Sequence, residues 1–177
     1  LQTIVSRQVD ITAQPAIVTV GQFEAGVRHN IIPDSARLVG TIRTFDAEMQ
    51  KDIHARVQRT AGSIAEAAGA TAEVRIDRNV PVTANNPALT ERMLPTLRRV
   101  LGDRLFEGPK ITGAEDFSFY QQEVPGMFLL LGITPEGEVG KAPQNHSPRF
   151  TVDEGALLTG VRTLVHLTLD YLSQTPK

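Results

Sequence analysis

The sequence predicts a mixed chain, α+β in its first half and α/β in its second, on three observations. Hydrophobic periodicity switches repeatedly between 2 and 3.6 residues across the first eighty positions. A Pro- and Asn-containing break at residues 80–87 divides the 177 residues into segments 1–83 and 84–177. Residues 127–131, Met-Phe-Leu-Leu-Leu, are apolar at every position, as in a strand covered on both faces.

The first segment opens on Leu1, Ile4 and Val5 at helical spacing, with no initiator Met and no cap before them, so the start reads as a cut into a longer chain. Residues 16–23 carry β-branched Ile17, Val18, Thr19 and Val20 and read as a strand. Gly26 and Pro33-Asp34 bracket a turn region. From Ser35 a second strand alternates, Ala36, Leu38, Gly40 and Ile42 on one face and Arg37, Val39, Thr41 and Arg43 on the other. Asp46 can accept from free amides of a first helical turn. Met49, Ile53, Val57, Ala61, Ile64 and Ala68 then form one apolar stripe, ended by Gly69. Residues 71–77 alternate again, with Ala72, Val74 and Ile76 inward. Restoring one strand ahead of Leu1 gives a split β-α-β unit, two helices on one face of a four-stranded sheet.

In the second segment Asn86-Pro87 starts a helix as cap and first residue. Leu94, Leu97 and Leu101 line it, Gly102 ends it, and Pro95 predicts a kink near Glu91. After residues 127–131 comes a long loop, 132–150. Thr151 and Glu154 have the spacing of a capping box ahead of a last helix, whose apolar side is Leu157, Val161, Leu164, Val165, Thr168 and Leu172.

Composition excludes several functions. Eighteen basic against twenty acidic residues give a net charge of −2, and aromatics are 5% with no Trp, so neither a phosphate-binding stripe nor a base-stacking platform is present. No apolar run reaches membrane-spanning length. Cysteine is absent, which removes disulfides and thiolate ligands and fits a cytoplasmic protein.

Of four histidines, His54 and His166 lie within helices without a second ligand at metal-motif spacing, and read as bystanders. His146 stands apart, in Asn-His-Ser-Pro-Arg-Phe between the apolar strand and the last helix, where open α/β sheets gather ligands. Its neighbour Pro148 stiffens the backbone. Gly113 leads Ala-Glu-Asp-Phe into a short helix, and its bare backbone allows a ligand to come close. Asn30 precedes the Ile-Ile-Pro-Asp turn. Arg43, at a strand end, has the planar fork that clamps a carboxylate.

Five segments occur together in order: Leu1-Gln2-Thr3-Ile4-Val5-Ser6-Arg7, Asn30-Ile31-Ile32-Pro33-Asp34, Gly40-Thr41-Ile42-Arg43-Thr44-Phe45-Asp46, Gly113-Ala114-Glu115-Asp116-Phe117-Ser118 and His146-Ser147-Pro148-Arg149-Phe150. Jointly they resemble the amidohydrolase branch of the dinuclear metallopeptidases, which includes aminoacylases, hippurate hydrolases and auxin-conjugate hydrolases. The resemblance implies that residues 1–83 are most of a ferredoxin-like lid and dimerisation domain, and 84–177 the C-terminal part of an α/β metallopeptidase catalytic domain. It implies that His146 is the last metal ligand and that Asn30 and Arg43 hold the substrate's carboxylate and carbonyl. Gly113 matches the turn lining the substrate pocket.

The implied substrate is an N-acyl amino acid, the implied assembly a homodimer through the lid, and neither nucleic acid nor membrane is a partner. The full enzyme is expected to bind two divalent ions, zinc, manganese, cobalt or nickel, with a Glu general base. That Glu and the remaining ligands belong to motifs found upstream in the family, so this chain alone is expected to bind no metal and hydrolyse nothing. The rival expectation is a non-catalytic ferredoxin-like module for small-molecule binding or dimerisation.

Overall fold

The computed structural model describes residues 1–78 and 80–174, in two compact units. The first is Leu1–Val82 with Ile111–Phe119, and the second is Thr83–Lys110 with Tyr120–Lys177. The stretch Ile111–Phe119 thus belongs to the first unit although it lies far along the sequence.

The first unit runs α1 (Thr3–Gln8), β1 (Ala16–Ala25), β2 (Ala36–Thr44) and α2 (Ala47–Ala67). β1 and β2 are antiparallel, with Ala16 opposite Thr44 and Ala25 opposite Ala36. The register slips by one residue between Val20 and Gln22, which makes Gly21 the extra residue of a bulge. At this point the strands come unusually close: a Cβ on Gly40 would stand 2.2 Å from the Thr19 carbonyl oxygen. Only glycine fits there.

Asp46 caps α2 as its sequence position predicts, its carboxylate accepting from the Met49 N–H at 2.7 Å. At the other end Gly69 takes φ +70°. Its N–H donates to Glu66 O at 2.9 Å and that of Ala70 to Ala65 O at 2.8 Å, the paired bonds of a Schellman motif.

The core of this unit is Ile4 from α1, Val18 from β1, and Ile53 and Val57 from α2. Ile42, Met49, Val74 and Ile76 pack around it. The alternation read in residues 71–77 therefore delivers Val74 and Ile76 inward, while Ala72 is exposed. The α2 stripe is buried only along its first half, and Ile64, expected in the core, is 65% exposed.

Of the three strands expected within the chain, β1 and β2 pair among the described residues and residues 71–77 do not join them. Residues 71–77 form no ladder there, although β1 and β2 are paired with each other along one edge only.

The second unit contains α3 (Pro87–Leu101), a 3₁₀ turn (Gly102–Arg104) and α5 (Gly155–Ser173). The short α4 (Phe117–Glu123) begins in the first unit and ends in the second. Asn86 caps α3 by accepting from Leu89 N–H at 2.9 Å, and α3 remains one helix across Pro95. α3 packs on α5; its Met93 and Leu97 are buried, and polar contacts also join the two helices. The buried Thr96 hydroxyl and the Arg99 guanidinium each donate to Asp170 at 2.6 Å, while Arg92 lies 4.5 Å from the Tyr171 ring centroid. The Thr96 hydroxyl first and Arg99 next hold the Asp170 carboxyl below its usual range.

Two expectations for this unit are corrected. Residues 127–131 form no ladder among the described residues and are not covered on both faces, since Leu130 is 66% exposed. The Asn85 side chain flanks them, accepting from Phe128 N–H at 2.7 Å and donating to Phe128 O at 3.0 Å, as a neighbouring peptide group would. The capping box of Thr151 and Glu154 does not form either. α5 starts only at Gly155, and Asp153, one residue before Glu154, accepts from the Gly155 N–H at 2.9 Å. The shorter carboxylate reaches an amide two residues on, so the Thr151 and Glu154 side chains are left without that role. The apolar stripe of α5 lies open, Leu164 being 64% and Leu172 63% exposed, because α5 is apolar on more faces than α3 alone can cover.

Candidate functional site

Arg43 and the Gly113 turn meet in the first unit. Arg43 sits near the end of β2, opposite Ile17, on the strand face turned from the core that takes Ile42. Its Nη1 donates to the carbonyl of Thr112, 69 residues along the chain. Among the described residues no carboxylate lies within ion-pair distance of this guanidinium. An unpaired guanidinium bonded to a neutral carbonyl still has donors to offer an anion.

Gly113 follows that carbonyl directly. It is exposed, and a Cβ there would meet only Ile111 Cγ2, at 3.7 Å, an ordinary contact. Neither crowding nor a positive φ demands glycine at this position. The turn is anchored beyond Gly113 by Ser118, which is 1% exposed and sends both its hydroxyl (2.7 Å) and its N–H (3.1 Å) to the Glu115 carbonyl. Sequence reasoning passed over Ser118, although it closes the Gly113 segment. It also passed over Asn85, whose one signal is the Asn-Asn-Pro run at the start of α3.

Asn30 is exposed in the connection between β1 and β2, within a turn closed by Ile31 N–H to Arg28 O at 3.3 Å. No side-chain bond joins it to Arg43 or Gly113 among the described residues. The structure therefore joins two of the three residues expected to bind substrate.

His146 lies in the second unit, exposed, at φ +71°. Among the described residues it is the only non-glycine with positive φ. The left-handed conformation costs an L-residue about 1–2 kcal/mol, and such strain concentrates where a side chain must be aimed. The turn is closed by Ser147 N–H to Gln144 O at 3.1 Å.

His54, by contrast, is buried in α2 at 7% exposure. Burial pushes its pKa below 6.5, and the Arg78 charge pushes it the same way. It is a core residue. His166, one turn before Asp170 on α5, is partly buried.

A metal centre is not complete in this set of residues: no three His, Cys, Asp or Glu side chains among those described could jointly hold an ion. One imidazole does not fit a two-metal site alone, since each ion needs several ligands. No helix is long and apolar enough to cross a membrane among the described residues.

Comparison with known proteins bears on both units. The family model described as Peptidase family M20/M25/M40 matches residues 6–170. The chain is 36% identical over 167 residues to thermostable carboxypeptidase 2 of Saccharolobus solfataricus, covering 94% of this chain and 41% of that protein. It is 31% identical over 179 residues to IAA-amino acid hydrolase ILR1-like 2 of Arabidopsis thaliana, covering 98% of this chain and 40% of that protein. Its fold matches a crystal structure of the Bacillus subtilis YXEP protein, a dinuclear metal binding peptidase, with a TM-score of 0.80 and 29% identity over 98% of this chain and 45% of that one. The chain thus spans about two fifths of the curated relatives it matches, at 41% and 40% of their lengths.

Proposed function

The chain belongs to peptidase family M20/M25/M40, and from that premise we propose that it is the lid and the C-terminal catalytic portion of a metal-dependent amidohydrolase acting on N-acyl amino acids. The observation that carries this reading is the family match, which runs through both units and includes all four candidate residues.

In this reading His146 contributes the one metal ligand the chain supplies, its φ of +71° being the backbone cost of aiming the ring. The other ligands and the general base come from parts of the relatives' length that this chain does not span, so no catalytic step is assigned to its own residues. Arg43 offers its remaining guanidinium donors to the substrate's carboxylate. Gly113 lets the substrate approach the backbone, which fits a glycine that packing does not require. Asn30 binds the substrate carbonyl. The names of two relatives, a carboxypeptidase and an IAA-amino acid hydrolase, support a substrate in which an amide bond joins an acyl group to an amino acid bearing a free carboxylate.

The first unit is read as a ferredoxin-like lid that forms a homodimer, its boundary with the catalytic portion near residues 83–84. Support comes from the cross-strand pair Phe23 and Leu38, 70% and 48% exposed on a ribbon whose core side takes only Ala16, Val18 and Ile42. A small-molecule-binding module without catalysis would explain the first unit alone, but gives no role to the family match through residue 170.

The test is hydrolysis of hippurate. The 177-residue chain alone should release no glycine, whereas the complete polypeptide carrying it should. Turnover by the chain alone would contradict the proposed division of the site.

A further inference from the structure

The Thr112–Gly113 peptide has its carbonyl on one side and its N–H on the other, because no cis bond occurs among the described residues and a trans peptide is planar. Arg43 holds the carbonyl side. Anchoring that oxygen therefore fixes the direction of the next amide, and the Gly113 N–H is aimed away from Arg43. Among the described residues no acceptor meets it. No side chain at position 113 shields it, and a Cβ there would be tolerated at 3.7 Å from Ile111 Cγ2. The result is an oriented, unpaired backbone donor on an exposed turn.

We propose that Arg43 is a positioning residue that sets the Gly113 N–H as a fixed hydrogen-bond donor for a carbonyl or carboxylate oxygen of the substrate. The oxygen's identity rests on the amidohydrolase reading, whereas the coupling of Arg43 to Gly113 does not. A guanidinium suits the role because Nη1 can hold the carbonyl while its other N–H groups stay available. Without Arg43 the residues before Gly113 lose their bond to β2, and the peptide plane becomes free to rotate. A donor in a fixed direction binds an oxygen without the ordering cost that a mobile one incurs.

Backbone ¹⁵N relaxation on the labelled chain tests this. Gly113 should show an order parameter near 0.85 in the parent chain and below about 0.6 in Arg43→Ala. Arg43→Lys, which keeps a charged donor, should recover part of the order, a rescue that mere loss of bulk would not predict. Val18 and Ile42 amides should be unchanged in both variants and serve as the folding control. Added hippurate should shift the Gly113 amide proton downfield in the parent chain and leave it in place in Arg43→Ala. A Gly113 that stays ordered in Arg43→Ala overturns the proposal, whatever hippurate does. A Gly113 that loosens in the variant while hippurate moves nothing in the parent upholds the positioning role and counts against a substrate oxygen as the acceptor of the Gly113 N–H.

Discussion

Replacing Gly40 by Ala strikes the closest approach between the two strands. The new Cβ would lie 2.2 Å from Thr19 O, 3.2 Å from Thr19 C and 3.4 Å from Val20 Cα. A carbon and a carbonyl oxygen settle at about 3.3 Å or more, so the strands must part locally by about 1 Å. A ladder bond of ordinary length stretched by that amount passes beyond hydrogen-bonding distance. Losing about two such bonds at about 1 kcal/mol each gives ~2 kcal/mol. The reduced freedom of Ala in the unfolded chain offsets about 0.5 kcal/mol of it. The net expectation is a loss of about 1.5 kcal/mol, read as a lower urea midpoint at unchanged slope. Amide exchange should quicken at Thr19 and Thr41 and leave α5 untouched. Because Arg43 lies three residues along the same strand, its bond to Thr112 should weaken too. A variant within about 0.3 kcal/mol of the parent would refute the argument that the close approach requires glycine.

Three further outcomes are expected. Asp46→Ala removes the acceptor of Met49 N–H and should cost about 1 kcal/mol, measured by urea unfolding with helical circular dichroism. Thr44→Val replaces a buried hydroxyl that has no partner among the described residues, so it should raise stability by about 1 kcal/mol in the same assay. His54 has its folded pKa below the ordinary 6.5, so the unfolded chain takes up the proton first. Its favourable contribution is complete above pH 6.5 and is lost as pH falls from there toward the folded pKa; His54→Leu should flatten that part of the urea-midpoint profile, and an unchanged slope would contradict it.

The helices were legible because their signals are local. Asp46, Gly69 and Asn86 each act on amides or carbonyls within a few residues, and all three take the roles their positions imply. β1 and β2 were legible for a similar reason, a short connection between two alternating runs. The other strands were not, since residues 71–77 and 127–131 have strand sequences but pair with no neighbouring strand among the described residues. Alternation fixes which side chains face inward, as Val74 and Ile76 show, but a ladder is a property of two segments. The α5 cap failed on a finer point, the choice of Asp153 over Thr151 and Glu154 at the same turn. In the site, residue types pointed to His146 and Arg43, but the bond from Arg43 to Thr112 spans 69 residues and leaves no trace in local sequence. The same holds for Asn85 and Phe128, which are 43 residues apart.

Metal content of the complete polypeptide with and without His146→Ala tests the central claim most directly. The account predicts about two ions per chain in the parent and no more than about one in the variant, with hippurate hydrolysis lost alongside. Two ions retained by a variant lacking the imidazole would contradict it.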